Sequence, residues 1–232
     1  MRLRIAAVSA VVAAMMLTLA LSASGAVIGL YRNAMGSEAQ RAQIVKLVGD
    51  RCARGGSEEA LKVTVGKATS ECAYRTPVIG RDLEVAVTAR LLSGTPNEVR
   101  NKAFLAVDLR AGQQGAGYRL LVYPLQRKAQ LRKTLPDGQV KYLQIAKEVS
   151  AVGGINQATQ LRLRAFNVTA GPEKGSCRVL AFVGRQMVAD VIDSAAGELQ
   201  GRASGFSLGA RGNAKGTIGS FDDLVVRVPS PF

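Results

Sequence analysis

The sequence predicts an all-β, two-layer jelly-roll sandwich held behind an apolar N-terminal transmembrane helix and a short juxtamembrane helix. Three observations carry that prediction. After Leu61 apolar and polar residues alternate with a period of two through many short runs. Gly- and Pro-bearing turns separate those runs at regular spacing. Ahead of them, Ile5 to Tyr31 holds no charged side chain and follows Arg2 and Arg4.

In chain order, residues 1–4 form a basic cap expected on the cytoplasmic side. Residues 5–31 follow as a membrane segment. At about 1.5 Å rise per residue, Ile5–Leu30 as a helix would span roughly 39 Å, more than a hydrocarbon core of roughly 30 Å. A cleaved signal peptide is the competing reading, because Ser22-Ala23-Ser24 and Ser24-Gly25-Ala26 offer small-x-small cleavage triplets. The apolar run continues past both triplets to Tyr31 and Arg32, placed as interfacial anchors, which favours an uncleaved signal-anchor. Arg2 and Arg4 then put the remainder outside the cytoplasm. The first cysteine is Cys52, so the apolar run ends without an acceptor for lipid attachment.

Residues 32–50 carry Met35, Ala39, Ala42, Ile44, Val45, Leu47 and Val48 in a loose helical pattern that stops at Gly49-Asp50, which predicts a juxtamembrane helix or stalk. Residues 51–232 form the expected extracytoplasmic sandwich. Its strands are read at Leu61–Val65, Leu83–Leu91, Leu105–Leu109, Tyr118–Tyr123, Ala129–Thr134, Val140–Ile145, Leu161–Ala165, Arg178–Val183, Gln186–Ile192, Ala203–Leu208 and Phe221–Val228. Pro136-Asp137-Gly138 joins two of them as a hairpin, since Pro fixes one φ and Gly supplies a positive one. Three cysteines in an oxidising compartment allow three pairings. Cys52 with Cys72 is the expected one, because it closes a short loop for about 3 kcal/mol of stabilisation; three unpaired buried thiols are the alternative.

The C-terminal half carries Leu161-Arg-Leu-Arg-Ala165, Cys177-Arg-Val-Leu-Ala-Phe-Val-Gly184, Val188-Ala189 with Asp193, Gly205-Phe-Ser-Leu-Gly209 and Ser220-Phe-Asp-Asp-Leu-Val-Val226. Over about residues 61–228 this resembles the laminin-G-like, concanavalin A-like jelly-roll superfamily. The resemblance implies two facing sheets and a closing Phe-Asp-Asp-Leu strand beside the first strand. It is specific for fold and not for function, since lectins, adhesion modules and glycoside hydrolases share the architecture.

Composition narrows the chemistry. There is no histidine, which excludes Ser-His-Asp and Cys-His catalysis and a His-ligated zinc site. Asp82-Leu83-Glu84 would place two carboxylates on one strand face, as a glycosidase needs, yet no third acid follows and a solvated strand end is the simpler reading. Asp222 and Asp223 are the calcium candidates, although aspartates there also cap backbone groups. The formal charge is +14, from 31 Lys and Arg against 17 Asp and Glu. Many of these cations fall in the central strands, so Tyr118, Tyr123 and Tyr142 with Arg119, Arg132, Lys133 and Lys141 form the candidate ligand face for an envelope glycan or anionic polymer. A solvated sheet face with aggregation-blocking charges is the plain alternative. Nucleic acid is excluded by the expected location outside the cell. The functional expectation is a non-catalytic, membrane-anchored binding module, with a subunit docking onto a partner protein as the alternative and a glycan-acting enzyme behind both.

Overall fold

The computed structural model describes residues 29–48, 52–57, 60–66, 70–112 and 115–229. Their strands, numbered along the chain, pair antiparallel into two sheets. One sheet runs β13 (Gln186–Asp193), β12 (Cys177–Val183), β11 (Thr159–Asn167), β6 (Leu83–Leu91), β15 (Ile218–Arg227), β4 (Ala60–Val65) and β3 (Cys52–Ser57). β1 (Gly29–Asn33) lies in the same sheet, paired with the C-terminal half of β15, while β4 takes the N-terminal half. The second sheet runs β10 (Val140–Ala146), β9 (Lys128–Thr134), β8 (Gly117–Tyr123), β7 (Ala103–Ala111), β14 (Ala203–Ala210), β5 (Glu71–Ile79) and β2 (Val45–Val48). The closing strand thus sits beside the first strands, in a two-sheet β-sandwich.

The period-two runs explain the layering. Leu83, Val85, Val87, Ala89 and Leu91 on β6 all turn inward and are buried, as do Leu105, Val107 and Leu109 on β7 and Leu161, Leu163 and Ala165 on β11. Each of these valines and leucines contributes about 1.5–3 kcal/mol when removed from water. The aromatic centre stacks Tyr74 on Phe206, with ring centroids 5.5 Å apart, and Phe206 on Phe221 at 4.5 Å. Between β9 and β10 the Pro136-Asp137-Gly138 turn forms as expected. Gly138 takes φ +85°, Leu135 N donates to Gln139 O, and Asp137 accepts from Gln139 N. Cys52 and Cys72 are bridged, so the disulfide ties β3 of one sheet to β5 of the other, and Cys177 is a buried free thiol.

Of the expected juxtamembrane helix or stalk over residues 32–50, the described residues 32–48 hold one short helix between two strands. Helix is confined to Glu38–Ala42, started by a reciprocal capping box between Ser37 and Gln40, and it buries none of its residues. The apolar residues of this stretch serve the sandwich instead. Met35 and Ile44 are fully buried in the core, and Asn33 fixes the turn by accepting from Met35 N and donating to Gln40 O. Tyr31, expected as a membrane-interface anchor, is in β1, packs against the core, and donates to Gln43 Oε1. Residues from Gly29 onward therefore belong to the same compact unit as the strands after residue 51. The rest of the expected membrane segment and the basic cap, residues 1–28, lie outside the described residues. Among the described residues no helix is long and apolar enough to cross a membrane.

Candidate functional site

Strand register converts the central basic stretch into a surface. In the seven-stranded sheet, Tyr142 pairs across to Arg132, Arg132 to Arg119, Arg119 to Asp108, Asp108 to Gly205, and Gly205 to Arg75. Directly paired residues of adjacent strands share a face, so these residues form one transverse row on the sheet's outer side. A parallel row runs Ile145, Gln130, Leu121, Ala106, Ser207 and Ala73. A β-bulge between Tyr142 and Gln144 keeps both Tyr142 and Ile145 on this side.

Polar contacts organise the row. The guanidinium of Arg119 is gripped by Asp108, through Nε, and by Glu71, at 2.7 Å. Burial works against the charge on Arg119, but the two carboxylates outweigh it and raise its pKa. Arg75 donates to Gly112 O at 2.7 Å. Phe104, Ala106, Leu121 and Tyr123 form a small apolar cluster of their own on this outer side. Arg211 lies 4.8 Å over the Tyr123 ring and donates both to Tyr123 Oη and to Gln130 Oε1, each at 3.0 Å.

At one end the row opens into a small hollow of about 20 Å³. Glu71, Arg75, Asp108 and Arg119 line it with the glycines 112, 115 and 117 of the β7–β8 turn and Gly205. Gly205 must be glycine, because a Cβ there would stand 2.1 Å from Tyr74 O. A flat strand surface is thereby kept low enough to leave the hollow open. Its walls are mostly apolar, with the Glu71 and Asp108 carboxylates paired to the Arg119 guanidinium at one side.

The sequence-predicted ligand residues divide. Arg132 and Tyr142 are neighbours on the outer face, and Tyr142 is 56 % exposed. Arg119 and Tyr123 share that face but are buried and engaged as described. Tyr118 and Lys133 do not belong to it: both point between the sheets. Lys133 Nζ meets Asp193 at 2.9 Å, Glu198 at 2.8 Å and Ala195 O at 2.7 Å, and Tyr118 Oη donates to Asp193 at 2.5 Å. Lys141 is exposed but pairs with Lys133, on the opposite side of β10 from Tyr142. Period-two counting explains these corrections, since Tyr118 and Lys133 are each one position out of phase with Arg119 and Arg132. The sequence reading missed Glu71, Arg75 and Arg211, which lie far away in the chain and reach the face only through strand order.

The other candidates are accounted for elsewhere. Glu84 is 1 % exposed and held between two cations, Arg164 Nε at 2.8 Å and Arg227 Nε at 2.7 Å. Asp82 accepts from Asn167 N at 3.0 Å and faces Arg110 at 3.5 Å. The two carboxylates therefore hold strands together and present no free acid-base pair. Asp222 and Asp223 sit at a bulge of β15, where Asp222 faces Arg90 at 3.9 Å and Asp223 faces Arg32 at 3.8 Å. Among the described residues no group of three or more His, Cys, Asp or Glu could hold a metal ion.

No protein-family model and no curated protein matches the chain. Solved structures do. The carbohydrate-binding module CBM66 from Bacillus subtilis superposes with a TM-score of 0.55 at 14% identity, covering 80% of this chain and 95% of its own. The metal-free carbohydrate recognition domain of Emp46p gives 0.56 at 15% identity, covering 86% and 94%. A Bacillus subtilis protein of unknown function with a galectin-like fold gives 0.56 at 12% identity, covering 86% and 96%. At these identities the likeness establishes the fold, a galectin-like two-sheet sandwich of the jelly-roll type.

Proposed function

We propose that this protein is a non-catalytic glycan-binding module that reads its ligand with the outer face of the seven-stranded sheet. The observation that carries the reading is the transverse row from Tyr142 through Arg132, Arg119 and Asp108 to Arg75, ending in a small hollow. Its fold is one in which similar solved structures include a carbohydrate-binding module and a carbohydrate recognition domain. Asp108 and Glu71 accept from sugar hydroxyls at the hollow while Arg75 and Arg119 donate to them. The exposed Tyr142 ring supplies an apolar plate against a pyranose face. The pairing of Glu84 with two arginines and the lack of histidine support binding without turnover.

The apolar run Ile5–Ile28 supports a membrane tether, with the sandwich displayed outside the cytoplasm and directed to an envelope glycan or anionic polymer. A second reading, docking onto a partner protein, draws on the edge strand β10, where Val140, Tyr142 and Ile145 are all exposed. A glycan array probed with the full chain tests the first reading. Binding that disappears in Tyr142→Ala is the expected result. A blank array, together with recovery of one stoichiometric protein partner from detergent extracts, would transfer the function to the docking reading.

A further inference from the structure

Resting on the glycan reading, we infer that the sugar carries a carboxylate and that Arg132 is the residue that holds it.

The outer face has an unbalanced charge. Arg75, Arg119, Arg132 and Arg211 share it with Lys128, and among the described residues Glu71 and Asp108 oppose them. Both of those carboxylates are drawn to one cation, Arg119. Arg211 is spent on Tyr123 and Gln130, and Arg75 reaches the Gly112 carbonyl. Arg132 faces Arg119 across the row, and its Nε, like that of Arg75, is buried with no hydrogen-bond acceptor among the described residues. A buried donor without a partner costs free energy that a ligand can return. Burial, and next the repulsion of neighbouring Arg119, lower the pKa of Arg132, while Glu71 and Asp108 act in the opposite sense without offsetting them.

Position adds selectivity. Arg132 pairs directly with Tyr142 on one side and Arg119 on the other, so an anion at its guanidinium is one strand from an exposed aromatic plate and one strand from the hollow's hydroxyl-binding groups. An acidic sugar presents these three features together: a ring face, hydroxyls and a planar carboxylate. The carboxylate matches the guanidinium fork, which donates two parallel N–H bonds, whereas an ammonium supplies only a point charge. Lysine at this position would keep the charge and lose the fork.

The test is the full chain on an array that sets uronate- and sialate-bearing glycans beside their methyl esters and beside sulfated glycans. Signal confined to the free acids is expected. Titration calorimetry with the brightest acid should then show Arg132→Lys and Arg132→Gln weakening it about 10- to 100-fold, with thermal unfolding of Arg132→Lys unchanged. Equal binding of acids and esters would overturn the carboxylate and leave the glycan reading standing. Signal on sulfated glycans alone would assign the site to sulfate and overturn the inference in the same way. A blank array would overturn both readings. Undiminished binding by Arg132→Lys and Arg132→Gln would show that another cation holds the acid.

Discussion

Replacing Lys133 by Met should damage the fold and spare the ligand face. Lys133 is 1 % exposed, and its ammonium group is shared among Asp193, Glu198 and the Ala195 carbonyl. Breaking a buried pair by deleting one partner costs about 3–5 kcal/mol. The lower end applies here, because Asp193 keeps hydrogen bonds from Tyr118 Oη and Ala195 N, and Glu198 is exposed enough to rehydrate. About 3 kcal/mol corresponds to a fall in Tm of about 6–12 °C for a domain of this size. The pH dependence has a definite sign. Burial opposes ionisation of Asp193, but the hydrogen bonds from Tyr118 and Lys133 outweigh it and hold its pKa below the ordinary value. A depressed carboxylate contributes stability above its unfolded pKa of about 3.9 and loses it as pH falls through the folded value. The gap between wild type and Lys133→Met should therefore be widest near pH 7 and narrow below about pH 4. Urea unfolding of both proteins at pH 7 and pH 3, with the disulfide intact, measures it. A loss under about 1 kcal/mol at pH 7, a gap that widens in acid, or a loss of glycan binding without loss of stability would each refute the inward placement of Lys133.

Four further outcomes follow from the same structure. Glu84→Gln should lower stability by about 3 kcal/mol in denaturant titration, because Arg164 and Arg227 lose their shared anion; a neutral result would argue that the triad is solvated. Cys52→Ser should cost about 3 kcal/mol by releasing the tie between β3 and β5, measured by the same titration against the oxidised wild type. Gly205→Val should fail to give folded protein, since its Cβ has no room beside Tyr74 O; a native circular dichroism spectrum and Tm would contradict this. Glycan binding should persist in EDTA, given that Asp222 and Asp223 face Arg90 and Arg32; loss restored by calcium would reinstate them as ligands.

Much of the sandwich was legible because buried strands leave a period-two trace. The runs at Leu61, Leu83, Leu105 and Leu161 fall inside β4, β6, β7 and β11. β5 escaped because Glu71–Ile79 contains Pro77 and buries consecutive residues 72–74, which blurs the alternation. β1 and β2 escaped because Met35 and Ile44 mimic a helical stripe while packing into the core from turns. The same limit applies to the site. Arg132 and Tyr142 could be read from adjacent strands of one hairpin. Glu71, Arg75 and Arg211 could not, because only the order β9-β8-β7-β14-β5 brings them to one face. Composition alone also overstated the basic surface, since a buried lysine with three partners counts the same as a free one.

The central claim is that one outer face binds a sugar, and a crystal structure of the protein with the brightest array ligand tests it most directly. The account predicts an intact glycan lying across the sheet from β10 toward β7 and β5, its ring on Tyr142, its carboxylate on Arg132 and its hydroxyls at Asp108 and Glu71. A glycan bound to the eight-stranded sheet or to the loops alone, or one found cleaved beside Glu84, would contradict it.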